Sequence, residues 1–171
     1  DWWRKAAKLW NKDRTNDSLS LRKQLDYRKK LTVQFPAPPH RVVYTKGGMY
    51  LAAARVDDPR VVIDHKLYWA AVDGPDAGRY LTAILNSDVL TLAVRPLQAR
   101  GEHNPRDFDK YLFQLPIPLF DPTLKVHLEL VKAAEQAEKI AAGVNLPKMS
   151  FQAQRKRIRE ALEVHGVAEK I

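Results

Sequence analysis

Between Arg95 and Lys110 the chain collects side chains suited to bonding the edges of base pairs: Gln98, Arg100, His103, Asn104 and Arg106. A guanidinium offers two parallel donors that match the acceptor pair of guanine, and a carboxamide pairs with adenine in the same two-point manner. Gly101 and Pro105 punctuate this stretch as a loop, so its polar groups are expected on a surface held out by the elements around it. Lys46 is a further candidate for base contact, since it opens a Lys46-Gly47-Gly48 turn. Arg55 and Lys110 are candidates for phosphate contact, as are Arg22, Lys23, Arg28, Lys29 and Lys30 in a basic N-terminal stretch. Phosphate contacts position a protein on a duplex without reading its sequence. A plainer account exists for each group: Arg106 and Asp107 pair locally and pin the turn, and the basic stretch is a solvated helix face.

Other chemistries are represented more thinly. Asp64-His65-Lys66 follows the apolar Val61-Val62-Ile63, and an Asp-x-Lys at a strand end can hold magnesium and polarise water, as in nucleases. Asp57 or Asp58 would have to supply the second carboxylate, across a cramped proline turn. The five histidines, His40, His65, His103, His127 and His165, are far apart with no i, i+4 pair, which speaks against zinc and for surface or packing roles. Gly47-Gly48 sits in a hairpin context and opens no helix, so it is a turn and not a phosphate loop. Trp2, Trp3, Trp10 and Trp69 could stack on bases, but core or inter-domain packing is the more common use of tryptophan.

The 171 residues, 45% hydrophobic and 29% charged, suit one domain with a sizeable core. A net charge of +9 favours an anionic partner, because cations set against phosphates release condensed counterions. The excess is N-terminal: residues 1–40 hold ten lysines and arginines against four acids, whereas 41–120 hold ten against nine. With no cysteine there is no disulfide framework and no thiolate metal site. No apolar run approaches the roughly 20 residues a bilayer span needs, and no secretory start is visible, so a soluble, cytoplasmic chain without a membrane partner is expected. The opening Asp1-Trp2-Trp3, without methionine, suggests a piece of a longer protein, with the tryptophans facing an upstream domain.

The elements that must position these groups follow from periodicity and caps. Residues Trp2 to Leu31 read as helical, with Asp17-Ser18 or Ser20 as a cap, and Pro36, Pro38 and Pro39 end this arm at His40. Arg41–Thr45 and Met49–Val56 read as strands of a hairpin, and Val61–Ile63 with Leu67–Val72 as further strands. Asp76 is placed to cap a helix in which Ala77, Tyr80, Leu81, Ile84, Leu85, Val89 and Leu92 share an apolar face, with a bend at Asn86-Ser87 where Ser87 caps a second segment. Pro122 opens another helix, with Leu124, Leu128, Val131 and Ile140 in a stripe ending near Gly143. Ser150 caps the last helix, in which Phe151, Ile158, Leu162 and His165 share one face and Arg155, Lys156, Arg157 and Arg159 lie on the rest. The expectation is an α+β protein: a basic helical arm over 1–40, an α/β core over 41–121 with a small antiparallel or mixed sheet and a packed helix, and a C-terminal helical pair over 122–171.

The order Tyr80-Leu81-x-Ala83-Ile84-Leu85-Asn86-Ser87, then Gln98-x-Arg100-Gly101, then Pro105-Arg106-Asp107-Phe108-x-Lys110, then Leu115-Pro116-Ile117-Pro118-Leu119-Phe120-Asp121 and a helix opening near His127, resembles target-recognition regions of bacterial restriction-modification proteins. Specificity subunits of type I systems and the C-terminal recognition domains of adenine-specific DNA methyltransferases, including type IIG-like enzymes, carry such an arrangement. Each motif alone is weak, but five in this order over about fifty residues are moderately specific. The flanks Tyr27–Pro36 and Arg155–Leu162 are similar as well. The resemblance implies a double-stranded DNA partner, an upstream methyltransferase domain that uses S-adenosylmethionine, and a parent that could also carry a restriction nuclease. The cofactor loop and the catalytic tetrapeptide of such enzymes are missing here, so the resemblance implies recognition without catalysis and without cofactor in this chain. The C-terminal helices would alternatively serve as a module that docks on a partner subunit.

Overall fold

Val42-Val43-Tyr44 lacks the polar alternation of a half-exposed strand, and it becomes the middle of the sheet. The computed structural model describes residues 1–48, 50–98, 107–108 and 111–170. Strand β1 (Arg41–Thr45) lies between β2 (Ala53–Val56) and β3 (Leu67–Ala71), antiparallel to both. Val42 and Tyr44 point into the main core with Leu51, Leu85, Leu90, Val94, Phe108 and Leu112. Tyr44 also stacks on its cross-strand partner Tyr68, with ring centroids 5.5 Å apart. Arg41 is fully buried beside Trp69, with Nη2 donating to the Asp58 carbonyl at 2.7 Å.

Val61–Ile63 does not form the expected strand. Asp58 accepts from the Arg60 N–H at 2.9 Å and turns the chain, leaving Val61 and Val62 exposed and only Ile63 buried. The Gln34 side chain takes the place of a partner strand: Ile63 N–H donates to its Oε1 at 2.9 Å, and its Nε2 donates to Ile63 C=O at 2.8 Å. One buried carboxamide thereby ties the basic arm to the sheet side of the molecule.

Helix α1 (Trp2–Asp13) and helix α2 (Leu21–Leu25) share the arm that was expected to be helical through Leu31. Ser20 caps α2 by accepting from Lys23 N–H. Beyond α2 the chain tightens into a turn around Asp26, whose carboxylate accepts from Leu31 N–H, Thr32 N–H and Thr32 Oγ1. Asp26 is thus the reason the helix stops.

Helix α3 (Pro75–Asn86) and helix α4 (Asp88–Val94) cover the sheet and join at Ser87, which caps α4 through Leu90 N–H as expected. The bend rephases the apolar face. Leu90, Thr91 and Val94 are buried, whereas Val89 is 78% exposed and Leu92 59% exposed, so those two leave the predicted stripe. Asp76 does not cap α3, which begins after Gly74; it bonds to Arg79 one turn on. Asn86 joins the end of α3 to the start of β2, accepting from Ala53 N–H at 2.9 Å and donating to Ala53 C=O at 3.0 Å.

Helix α5 (Lys125–Gly143) packs against α3 and starts later than Pro122, because the Asp121 carboxylate holds Thr123 in a preceding turn. His127 is buried there: its Nδ1 accepts from Asp121 N–H at 2.9 Å, and its Nε2 lies 3.3 Å from the Tyr80 hydroxyl. Helix α6 (Phe151–Val164) packs on α5 with Ser150 as its cap. Phe151 is 71% exposed and does not join Ile158 and Leu162 on the packed face.

Candidate nucleic-acid interface

The two ends of the sheet differ in charge chemistry. At the end where β1 begins, Arg55 donates to Glu138 of α5 through Nε at 2.6 Å and Nη2 at 3.0 Å, and through Nη1 to Asp57 at 2.8 Å. Arg79 of α3 joins the same network through Glu135, Glu138 and Asp76. These cations are locally neutralised. The carboxylates around Arg55, the bidentate Glu138 first, stabilise its charged form and raise its pKa. Arg55 therefore corrects the expectation of a phosphate contact: its side chain is only 13% exposed and welds β2 to α5.

At the opposite end the hairpin between β1 and β2 meets both stems of the candidate loop. Gln98 Nε2 donates to Gly48 C=O at 3.5 Å, Phe108 N–H donates to Lys46 C=O at 2.8 Å, and Gly47 bridges Asp107. Phe108 is fully buried and anchors the returning stem in the core. Gly48, at φ 135°, adopts a backbone that only glycine accepts without strain. Gln98 is 5% exposed, so it is a tie between loop and hairpin and not an exposed reader of bases. Lys46 holds its ammonium 5.5 Å from the Tyr68 ring centroid. Arg100, His103, Asn104, Arg106 and Lys110 lie outside the described residues, and so does the proposed Arg106 partner of Asp107.

The arm is tied to the connection before β3 through Gln34. Gln34 Nε2 also donates to Lys30 C=O at 3.0 Å, so the basic turn is held against Ile63. Among the described residues no carboxylate forms an ion pair with Arg22, Lys23, Arg28, Lys29 or Lys30. All five are exposed. Asp26 keeps its carboxyl below the ordinary carboxylate range chiefly through the Thr32 backbone N–H and hydroxyl, with Lys29 adding a smaller through-space contribution.

Tyr50 escaped the sequence reading. It is half exposed just beyond the hairpin tip, and Arg159 of α6 sits over its ring at 5.8 Å. Nothing in the sequence joins residues so far apart; only the packing of α6 does.

The nuclease constellation loses its carboxylates to other partners. Asp57 pairs with Arg55 and His40, Asp58 takes three bonds from Arg60 side-chain nitrogens, and Asp64 accepts from Lys66 N–H. Among the described residues no three His, Cys, Asp or Glu side chains gather as a metal site would require. No helix among them is long and apolar enough to cross a membrane. No protein-family model, curated protein or solved structure matches the chain.

Proposed function

We propose that this chain is a sequence-reading module for double-stranded DNA, of the kind that serves restriction-modification adenine methyltransferases, with methyl transfer from S-adenosylmethionine carried out by an upstream domain of the same protein. The observation that carries the reading is the shared anchorage of both loop stems. Gln98 and Phe108 bond to the one hairpin that bears Lys46, so the intervening guanidinium and amide groups have a rigid base. The charge distribution adds support, because Arg22, Lys23, Arg28, Lys29 and Lys30 of the arm are exposed and form no ion pair among the described residues, while Arg55 and Arg79 are neutralised by carboxylates. In this reading Arg100, His103, Asn104, Arg106 and Lys46 address base edges. Arg22, Lys23, Arg28, Lys29, Lys30 and Lys110 address phosphates. The chain itself performs no catalysis and holds no cofactor.

A second reading, a helical module that docks on another subunit, draws on the exposed Leu124 just before α5, Val126 and Leu128 within it, and a groove of about 430 Å³ beside Val126, Leu130 and Ala133. A gel shift with random duplex across a salt series separates the two. Tight binding that weakens steeply with salt supports DNA reading, and its absence at low salt supports docking. Within the first reading, Arg100→Ala relaxes sequence preference, at about 1–3 kcal/mol of discrimination, whereas Lys29→Ala weakens all duplexes alike and lowers the salt slope by about one. Equal effects of the two substitutions on every duplex would contradict this division of roles.

A further inference from the structure

Helix α6 carries Arg155, Lys156, Arg157 and Arg159 within five residues. Two of these four have local partners: Lys156 pairs with Glu160 at 3.7 Å, and Arg157 donates to Asn145 C=O at 3.0 Å. The other two rest on aromatic rings. The Arg155 guanidinium lies 5.7 Å from the Phe151 ring centroid and that of Arg159 lies 5.8 Å from the Tyr50 centroid. Phe151, Arg155 and Arg159 recur at four-residue spacing and so form one line along the helix. Tyr50 closes the line from the hairpin side.

The resulting row reads ring, guanidinium, guanidinium, ring, and both rings stay at the surface, at 71% and 50% exposure. A core would have covered such rings. Here each guanidinium lies within the roughly 6 Å reach of a cation–π contact, and both arginines are exposed and able to fork onto an oxyanion. Among the described residues no carboxylate forms an ion pair with Arg155 or Arg159. The row also runs to Tyr50, just beyond the hairpin that bears Lys46 and bonds Gln98 and Phe108.

We propose that the row Phe151, Arg155, Arg159 and Tyr50 is a second phosphate-binding track, which grips the sugar–phosphate backbone of duplex DNA alongside the segment addressed by the loop. This rests on the DNA-reading function above. The arm and α6 then hold the duplex through different elements.

The test uses the full chain, a labelled random-sequence duplex and the matching single strand, each titrated over a salt series. Arg155→Gln combined with Arg159→Gln is expected to lower duplex affinity about tenfold at low salt and to reduce the salt slope by about two, close to 0.9 per phosphate released. Lys156→Gln serves as the control and shifts affinity less than about twofold, as expected for an exposed cation with a local partner. Replacing both arginines with lysine restores the slope but not the full affinity, because an ammonium cannot fork onto a phosphate through two parallel N–H groups. Thermal melting of each variant checks that the fold is kept. If Lys29→Ala lowers the slope while the double variant binds duplex like wild type, the track is overturned and the DNA-reading function stands. If wild type fails to bind duplex at low salt, both fall. A loss confined to the single strand would overturn the duplex assignment and point to bases stacking on the two rings.

Discussion

Arg28 and Lys29 adopt φ of 57° and 58°, a left-handed conformation that costs an L-residue about 1–2 kcal/mol. Two consecutive cations held there, in a turn without glycine, mean that the local fold tolerates strain where glycine would relieve it. Lys29→Gly is therefore expected to keep or raise stability, by about 0.5 kcal/mol once the greater unfolded-state freedom of glycine is subtracted, while weakening duplex binding. Paired denaturant melts and binding titrations check this, and a parallel loss of both would refute it. Asp26 closes the same turn, and its pH dependence has a definite sign. Its folded pKa is depressed by the Thr32 bonds, so its stabilising effect is full above the unfolded value and is lost as pH falls through the folded one. Protection factors for amide exchange at Leu31 and Thr32 should fall as Asp26 becomes protonated in acid, and the Asp26→Asn variant should lack that step. Residue type was legible in the sequence, but engagement was not. Gln98 and Arg55 have the right chemistry for nucleic acid, yet one faces the Gly48 carbonyl and the other Glu138, partners distant in sequence.

At the scale of elements, the caps were the most readable signals because their chemistry is local. Ser20, Ser87 and Ser150 each accept from a backbone N–H three residues on, as their types and positions predict. The misreadings arose where a side chain replaced a backbone partner or a bend shifted the phase. Gln34 supplies to Ile63 what a strand would have supplied, and Ser87 turns Val89 and Leu92 outward. The motif Leu85-Asn86-Ser87 likewise has an architectural role, since Asn86 fastens the first residue of β2 to α3. Two substitutions test the fastenings. Gln34→Ala leaves the buried Ile63 N–H and C=O without their partner, and about 1–3 kcal/mol per group is expected to be lost, with the arm becoming sensitive to protease before the core unfolds. Glu138→Ala deprives the mostly buried Arg55 of a bidentate partner and should cost about 2 kcal/mol in a thermal or denaturant melt, while leaving duplex affinity within about twofold. A tenfold loss of affinity from Glu138→Ala would mean that the network at that end of the sheet also serves binding.

Across the whole molecule the cations divide by how they are engaged. Those near the start of β1 are locked among α3, α5 and β2, and those of the arm and α6 line outward-facing surfaces. Salt should therefore act unequally. Raising it from about 50 to 200 mM is expected to reduce duplex affinity more than tenfold, while the melting temperature moves by less than about 2 °C, since partly buried pairs are screened far less than exposed charges. The fold class and the antiparallel sheet follow from apolar runs and turn chemistry, whereas the convergence of hairpin, loop stems and α6 could be seen only in three dimensions. That convergence also bears on how such a module could change. Gln98 and Phe108, on either side of positions 99–106, both bond to one hairpin, and these anchoring contacts are made by residues outside that span. A foreign insert of similar span could be grafted there for little more than loop entropy, roughly 0.6 kcal/mol for each doubling of length. Under the proposed DNA-reading function, new preferences among DNA sites would then arise by exchanging a short cassette, with the helices and the sheet inherited intact.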